Sequence, residues 1–516
     1  MDTSLGSFDD SELSANHIRR IKLDIDEQAL ALAEAQVAHL TRATVVLEEK
    51  LANIQLALAT SRTSLDAARL RRDALLLEVR DQRASLSVLE RIPEDLLIEI
   101  FEHSAMGLPV SPLLGPVPIQ HSVPRARAPF VCAAVCRRWR HTAISAPSLW
   151  HYVAVPQLTQ SQSDGDRYVS YVETMLERSK AVPLLITFDF IDFVGSWHHK
   201  KLLEMLSVHL HRWETFSARL QEHQSLSSLL DYLRGPAPML TYVFVGVRPG
   251  TNCELMGTDN FPEPGSLPPR YLSHAPRLLV LEVENLPLSW HRGHEPMPAL
   301  ERLRIIQRTL TEAFWTTLAV ARSLKILIVM ARELPPAPPG PVELPCLAVL
   351  NFGADTWQLL QRFPDAFVLP ALETLQLDYV RPQELGAFFA RVAAHLAVLR
   401  LQVSVIEEQD AAVLSQLRQL RHLYLYRATV STVLFDRLRE REECMWPRLS
   451  DVSLDGVTLQ PPNGDSLVEL VRIRKGCEDT AQEPAPWCAL RTVRIFNLHN
   501  VPRWDVAEIE RLLANA

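Results

Sequence analysis

Residue patterns that could carry catalysis are scarce in this chain of 516 residues. The sequence contains none of GxxxxGKS/T, GxGxxG, GxSxG or HExxH. These spacings cradle phosphates, bind dinucleotides, expose a serine nucleophile or hold a catalytic zinc. No candidate nucleophile has a base beside it, so the sequence predicts a protein that is not an enzyme.

Two groups of residues have the types that bind metals. Cys132 and Cys136 lie one helical turn apart, but no second pair has a matching spacing, and core positions explain them better. The second group consists of four histidines, His198, His199, His209 and His211. Positions on amphipathic helices explain these histidines better than a metal site does. We therefore expect no metal and no cofactor.

The composition narrows the class of partner. The formal net charge is −8, which is the opposite of the basic footprint of a nucleic-acid binder. Seven scattered cysteines favour reduced intracellular thiols. The acidic N-terminus lacks the apolar stretch of a secretion signal, and no window is long and apolar enough to span a membrane. We expect a soluble protein of the cytoplasm or nucleus that binds neither nucleic acid nor membrane.

Apolar residues repeat every seven positions from Leu23 to Leu86, with a second row three residues on, and no proline or glycine intervenes. This is the a/d seam of a coiled coil. Four polar residues interrupt the seam and can define its register, namely Thr44, Ser61, Arg72 and Gln82. We expect residues 1–17 to be disordered and 18–88 to form a helix. It could self-associate in parallel through 23–86 or pack back on its own domain.

Residues 89–103, LERIPEDLLIEIFEH, place their apolar side chains on one helical face. Pro93 suits the first helical position, and Glu94 and Asp95 suit the first turn. Residues 129–153, PFVCAAVCRRWRHTAISAPSLWHYV, predict a second helical stretch, followed by a turn and two apolar anchors. Five residues of this stretch are expected to share one face: Phe130, Val131, Ala134, Val135 and Trp139. Short helices with such wide apolar stripes need a partner surface.

The two blocks, L-x-x-I-P-E-D-L-L-x-x-I-F and V-C-R-R-W-R-x-x-A-x-x-x-P-S-L-W, resemble an F-box. The resemblance implies that residues 89–153 form a small trihelical module that docks on the Skp-type adaptor of a cullin-based SCF ubiquitin ligase. It further implies an adaptor-binding set consisting of Leu89, Ile92, Pro93, Leu96, Leu97, Ile100, Phe101, Val131, Val135, Trp139, Leu149 and Trp150. An ordinary amphipathic helix pair inside a larger core is the alternative.

One departure from the family lies between the two blocks. The family joins its halves by a few residues, whereas here residues 104–128 intervene and are rich in proline and small side chains. We expect a surface loop there, because such composition does not build a core. Such a loop could obstruct the docking of the adaptor.

The template L-x-x-L-x-L recurs from residue 240 onward. From Leu278 to Leu420 its starts lie 22, 24, 23, 25, 24 and 24 residues apart, which is the period of leucine-rich repeats. Residues 165–516 resemble that family, so each unit should give a parallel strand and a returning helix. Candidate helices are 311–322, 383–395 and 433–443. The family's Asn or Cys at the ninth position is missing, so we expect its side-chain ladder to be absent and the solenoid irregular.

Side chains between the template residues should face the concave surface, because alternate strand residues point to opposite faces. This places a candidate substrate-binding strip at Arg400, Gln402, His422, Tyr424, Tyr426, Asp451 and Asp455. Tyrosine and arginine are frequent binding anchors. A strip covered by inserted loops is the alternative.

The sequence thus predicts an α/β fold in which a long coiled-coil helix precedes a small helical F-box-like module and an irregular leucine-rich-repeat-like solenoid. The expected function is substrate recognition in an SCF-type ubiquitin ligase, with a protein substrate that the sequence does not name. The alternative is a non-catalytic coiled-coil and repeat scaffold without a ligase role.

Overall fold

The computed structural model describes residues 10–86, 92–106, 121–157, 162–191, 197–221, 225–247, 275–285, 297–440, 445–462, 464–475 and 488–514. It consists of two compact units, Met1–Pro93 and Glu94–Ala516.

The first unit contains one long helix, α1, over Asp10–Leu86. Helix α1 therefore begins within the segment that we expected to be disordered up to residue 17. Extending an existing helix needs no new nucleation, and acidic residues at its start favour the positive end of the helix dipole. The large apolar side chains of the seam from Leu23 to Val79 are 42 to 65% exposed.

The second unit alternates helices and strands. Its helices are α2 (Glu94–Met106), α3 (Val123–Val135), α4 (Arg137–Ser145), α5 (Gln162–Ser179), α6 (Trp197–Ser207), α7 (Ser225–Asp231), α8 (Ala313–Val320), α9 (Gln358–Arg362), α10 (Gly386–Val392), α11 (Asp410–Leu414), α12 (Val433–Arg437), α13 (Asp465–Lys475) and α14 (Arg503–Ala514). Its strands are β1 (Tyr152–Val155), β2 (Leu184–Ile191), β3 (Trp213–Leu220), β4 (Tyr242–Val247), β5 (Val280–Glu284), β6 (Arg302–Ile306), β7 (Ile326–Ala331), β8 (Val342–Glu343), β9 (Val349–Ala354), β10 (Phe367–Val368), β11 (Thr374–Asp378), β12 (Val398–Gln402), β13 (Val405–Ile406), β14 (His422–Tyr426), β15 (Thr429–Ser431), β16 (Asp451–Asp455), β17 (Thr458–Gln460) and β18 (Thr492–Phe496).

Thirteen of the described strands form one parallel sheet in the order β1-β2-β3-β4-β5-β6-β7-β9-β11-β12-β14-β16-β18. The template leucines pair across neighbouring strands, as Leu375 with Leu399 and Leu399 with Leu423. These leucines are buried, whereas the residues between them are half-buried or exposed. A parallel strand in each short repeat, with its apolar face shared by its neighbours, is the architecture of a leucine-rich-repeat-like solenoid.

The returning elements are shorter than predicted. Helix α8 lies inside the predicted 311–322, and the predicted 383–395 is a 3₁₀ turn, Pro382–Leu385, followed by α10. Helix α12 covers only five residues of the predicted 433–443. A repeat of about 24 residues must return within a few turns, so full helices do not fit. The last described helix of the chain, α14, follows the final strand of the sheet.

The sheet begins earlier than the clear repeats. Strands β2 and β3 precede the first copy of the template, which begins at residue 240. Strand β1, YVAV, begins with Tyr152 and Val153 inside the residues assigned to the helical module, yet it pairs with β2 and is buried throughout. The helical module and the repeats are therefore one packed unit, not domains separated near residue 153.

Buried hydroxyl groups link neighbouring repeats at two places. Ser404 occupies the ninth position of its repeat, where the family has an asparagine; its Oγ accepts a hydrogen bond from the Val380 N–H (3.3 Å) and donates to the Gln402 carbonyl (3.0 Å). Thr356 is the tenth residue of its repeat, and its Oγ1 accepts a hydrogen bond from the Ala331 N–H at 2.7 Å. The expected loss of the ladder is therefore only partial, because a serine replaces the asparagine at one ninth position and a threonine makes a similar link one position later in another repeat.

A left-handed residue follows the strand in successive repeats. Tyr379, Val403 and Arg427 have φ of 57°, 49° and 49°. Each of their N–H groups donates to the carbonyl of the last residue of the next strand, at 2.7 to 2.8 Å. A β-branched residue such as Val403 rarely adopts this conformation, so the inter-repeat hydrogen bond is made against local backbone strain.

Candidate protein-binding surfaces

Helix α3 replaces part of the predicted loop. Ser122 has extended backbone angles, and its Oγ accepts a hydrogen bond from the Arg125 N–H at 3.3 Å. Pro124 occupies the first turn, where its missing N–H costs nothing. The predicted 104–128 loop is therefore wrong at residues 104–106, which end α2, and from Val123 onward, and residues 107–120 lie outside the described part of the chain.

The second block forms two helices rather than one. Cys136 is extended (φ −152°, ψ 174°), and its Sγ accepts the Trp139 N–H at 3.4 Å, so α3 ends and α4 begins there. Trp139 therefore does not share a helical face with Val131 and Val135, as the sequence had predicted. Cys132 is buried but Cys136 is exposed, so a core role explains only the first cysteine.

Helices α2, α3 and α4 pack together with the 3₁₀ turn Pro147–Trp150. Four residues of the predicted adaptor-binding set are buried here, namely Leu97, Phe101, Leu149 and Trp150. The rings of Phe101 and Trp139 lie 4.8 Å apart, and Trp150 Nε1 donates to the Ala143 carbonyl at 2.6 Å. These four side chains hold the module together and are not available on its surface.

The other part of the set faces outward. Leu96 and Ile100 are 49% and 48% exposed, and Val131 and Val135 are 63% and 55% exposed. Each pair is spaced i, i+4, so each forms an apolar stripe along one helix, α2 or α3. Leu89 lies outside the described residues, and Ile92 and Pro93 belong to the first unit.

The module also covers the start of the repeat sheet. The Ser122 N–H donates to Tyr152 Oη at 2.9 Å, and the Arg125 guanidinium lies 4.2 Å above the Tyr152 ring. Ala126 packs in one cluster with Tyr152, Ala154 and Leu185. By strand register these residues lie on the face that carries His422 and Tyr424 farther along. At its first strands, the concave face is therefore occupied by helix α3.

The predicted substrate strip lies on the concave face of β12, β14 and β16. The register places Arg400 beside Tyr424, Gln402 beside Tyr426 and His422 beside Asp451, with Tyr426 next to Asp455. All seven predicted side chains are half-buried or exposed. The structure thus brings the predicted strip together on one surface.

Charged groups in the strip are paired with their neighbours. The Arg400 guanidinium lies 4.8 Å from the Tyr424 ring centroid, and His422 Nδ1 lies 2.9 Å from Asp451 Oδ2. The pKa of Asp451 lies below its ordinary value. Burial alone would raise this pKa, but the hydrogen bonds from Ser450 and Thr492 outweigh burial. These contacts preorganise the strip before any partner arrives.

The sequence-based selection missed the carboxylate next to the strip. Asp378 ends β11 beside Gln402 and is only 8% exposed, and its Oδ1 has no hydrogen-bond partner among the described residues. Burial raises the pKa of Asp378 to about 6. A Cβ on Gly353 would lie 2.9 Å from Met330 and 3.1 Å from Asp378, so glycine leaves the space beside this carboxylate. Extending the alternation one repeat back from Gln402 would have found it.

Three buried polar atoms on neighbouring strands of this part of the concave face lack a hydrogen-bond partner within the described ranges. Asn351 Oδ1, Asp378 Oδ1 and Arg400 Nε lie on the consecutive strands β9, β11 and β12, and none has a hydrogen-bond partner in the described chain. Buried polar groups are usually satisfied, so such exceptions call for a reason. A binding surface that a partner completes is one such reason.

Packing on a helix explains two of the four histidines; the other two, His209 and His211, lie at the 3₁₀ turn Leu210–Arg212 and not on an amphipathic α-helix. His198 and His199 are buried on α6, and a Cβ on Gly165 would overlap the His198 ring. Across the described ranges, no group of three or more His, Cys, Asp or Glu side chains is placed to hold a metal ion. No described helix has the length and hydropathy needed to cross a membrane.

Comparisons with known proteins give no family. No family model and no curated protein matches the chain. Among solved structures it is similar to the plant peptide hormone receptor RGFR1 in complex with RGF2, at 11% identity and a TM-score of 0.27, over 69% of this chain and 48% of that one. It is also similar to the Toll–Spatzle complex of Drosophila, at 15% identity and a TM-score of 0.28, over 64% and 44%. The chain spans about half the length of these structures, and the solenoid assignment rests on its own strand order and period.

Proposed function

We propose that this chain is the non-catalytic substrate-recognition subunit of an SCF-type ubiquitin ligase in the cytoplasm or nucleus. The helical module binds a Skp-type adaptor, and through it a cullin core, and the concave face binds a protein substrate. The observation that carries the proposal is the pair of outward apolar stripes, Leu96 with Ile100 and Val131 with Val135. Exposed apolar patches on folded proteins mark interaction sites. The resemblance of the two sequence blocks to an F-box predicts that a Skp-type adaptor covers these two stripes.

The concave face supports the second half of the proposal. Solenoids present extended concave surfaces to partners. Here the strip between Arg400 and Asp455 carries two tyrosines and an arginine, which are typical anchors of protein interfaces.

A scaffold without a ligase role is a second candidate. The exposed seam of α1 favours it, because an apolar seam is itself an interaction surface. Co-purification with a Skp-type adaptor separates the two functions, since a scaffold would not retain the adaptor.

Replacing Leu96 and Ile100 together by aspartate is expected to weaken binding to the Skp-type adaptor at least 100-fold. Central apolar contacts contribute about 2 kcal/mol or more each, and two are removed. Surface substitutions change stability by less than about 0.5 kcal/mol, so the fold should persist. Isothermal titration of the purified chain with the adaptor measures the loss. Glu99→Lys, between the two positions on α2, is the matched control and should bind as the parent does. Full affinity of the double variant would exclude this docking surface.

Replacing Tyr424 and Tyr426 together by alanine is expected to lower substrate capture tenfold or more, because aromatic anchors dominate interface energies. Proximity labelling with and without proteasome inhibition identifies proteins that accumulate near the chain when degradation stops. These proteins should disappear with the double variant. They should remain with Trp504→Ala, an exposed aromatic on α14 outside the strip. An unchanged set would place the substrate elsewhere.

A further inference from the structure

The sequence of helix α1 carries an apolar seam over nine heptads, from Leu23 to Leu86, and the large apolar side chains of the seam are exposed from Leu23 to Val79. Its 77 residues extend roughly 115 Å at about 1.5 Å per residue. Seams sustained over three or four heptads already indicate coiled coils. A partner helix that covers this seam must have the same length and the same apolar repeat. A second copy of α1 meets both requirements.

The charges at the e positions of the seam change sign along the helix, whereas the charged g positions are Lys22, Lys50, Arg71 and Glu78. The e positions, which follow each d residue, carry Glu27, Glu34 and Glu48 in the first half. In the second half the charged e positions are Arg62, Arg69 and Arg83. The e and g positions choose the orientation of the partner helix. A helix whose e positions are acidic at one end and basic at the other is complementary to itself when reversed.

The core positions discriminate between the two orientations. A parallel, in-register pair would place Arg72 against Arg72 of the second copy, and Asp26 against Asp26. Like charges at these positions oppose association. When the second helix is reversed about residue 56, Arg72 instead meets Leu40, and Asp26 meets Leu86. The central layers of the reversed pair, Leu58 with Ile54 and Leu65 with Leu47, remain apolar.

We propose that α1 binds α1 of a second copy in antiparallel orientation, centred on residue 56. In this register Glu48 pairs with Arg62 of the second copy, and Glu27 pairs with Arg83, each twice by symmetry. This assembly goes beyond the ligase function and does not depend on it.

A charge-reversal cycle on the full-length chain tests the orientation. Glu48→Arg and Arg62→Glu each replace two attractive pairs by two repulsive ones, so each should weaken dimerisation about tenfold at low salt. The double variant restores the pairs and should recover the parent affinity. In a parallel pair these positions face Ala43 and Ala57, so no variant would change the affinity. Sedimentation velocity over a concentration series measures the dimerisation constant.

Glu49→Arg is the matched control, because residue 49 lies on the outer side of the helix and should leave dimerisation unchanged. A monomeric chain at micromolar concentrations would overturn the proposal. Equal affinity of all variants, or a double variant as weak as the single ones, would do the same. Adaptor binding by the helical module is measured separately, so failure of the ligase function and failure of the dimer are distinguishable.

Discussion

Phe101→Ala is expected to lower the free energy of unfolding of the second unit by about 3–5 kcal/mol. Phe101 is 1% exposed, and its ring lies 4.8 Å from the Trp139 ring, at an interplanar angle of 59°. Truncation to alanine removes the buried apolar area and the aromatic pair, and it leaves a cavity in the core. Urea denaturation measures the loss, and hydrogen exchange in α2, α3 and α4 locates it.

The neighbouring residue provides the control. Ile100 is half exposed, so Ile100→Ala should change the unfolding free energy by less than about 0.5 kcal/mol. Equal effects of the two variants would mean that α2 is rotated from its described orientation. The difference between buried and exposed positions on α2 also determines which substitutions are suitable for testing adaptor binding. A substitution at Leu97 or Phe101 would lose the adaptor by unfolding the module, whereas Leu96 and Ile100 report contact alone.

Asp378→Asn is expected to raise the free energy of unfolding at pH 7.5 by about 2 kcal/mol, and to leave it unchanged near pH 4. The pKa of Asp378 is about 6 in the folded chain and about 3.9 in an unfolded one. Below pH 4 the carboxyl is protonated in both states, so burial costs nothing there. Between pH 4 and 6 only the unfolded state ionises, so stability falls as pH rises. Above pH 6 the penalty is complete. Each pKa unit between the folded and the unfolded value corresponds to about 1.4 kcal/mol, and structural relaxation lowers the total to about 2 kcal/mol.

Urea denaturation of parent and variant at pH 4, 5, 6 and 7.5 measures this divergence. Asp455→Asn is the control on the same face. Asp455 accepts a hydrogen bond from Asn497 at 3.4 Å, so its replacement should not stabilise the chain. A loss of stability in Asp378→Asn at pH 7.5 would show that the carboxylate has a partner. A gain in the free energy of unfolding would show that Asp378 destabilises the free protein, as residues of binding sites often do.

Much of the repeat domain could be predicted from its sequence. The template leucines recur with a nearly constant period, and alternation along each strand determines which side chains point into the core. Arg400, Tyr424 and Asp451 were therefore placed correctly on one surface. The ladder at Ser404 was missed, because its hydroxyl bonds only to backbone groups, the Val380 N–H of the preceding repeat and the Gln402 carbonyl of its own.

The helical module shows where the sequence alone was insufficient. Its apolar pattern established that two short helical blocks must bury a face, but Leu96 and Leu97 are the same residue type one position apart. Only packing of α2 against α3 and α4 decides that Leu97 lies inside and Leu96 outside. The same holds for α3, whose first turn covers Tyr152 of the sheet through contacts that local sequence does not encode. Local periodicity determined the elements and their faces. Which face meets protein and which remains free depends on contacts between residues far apart in the chain.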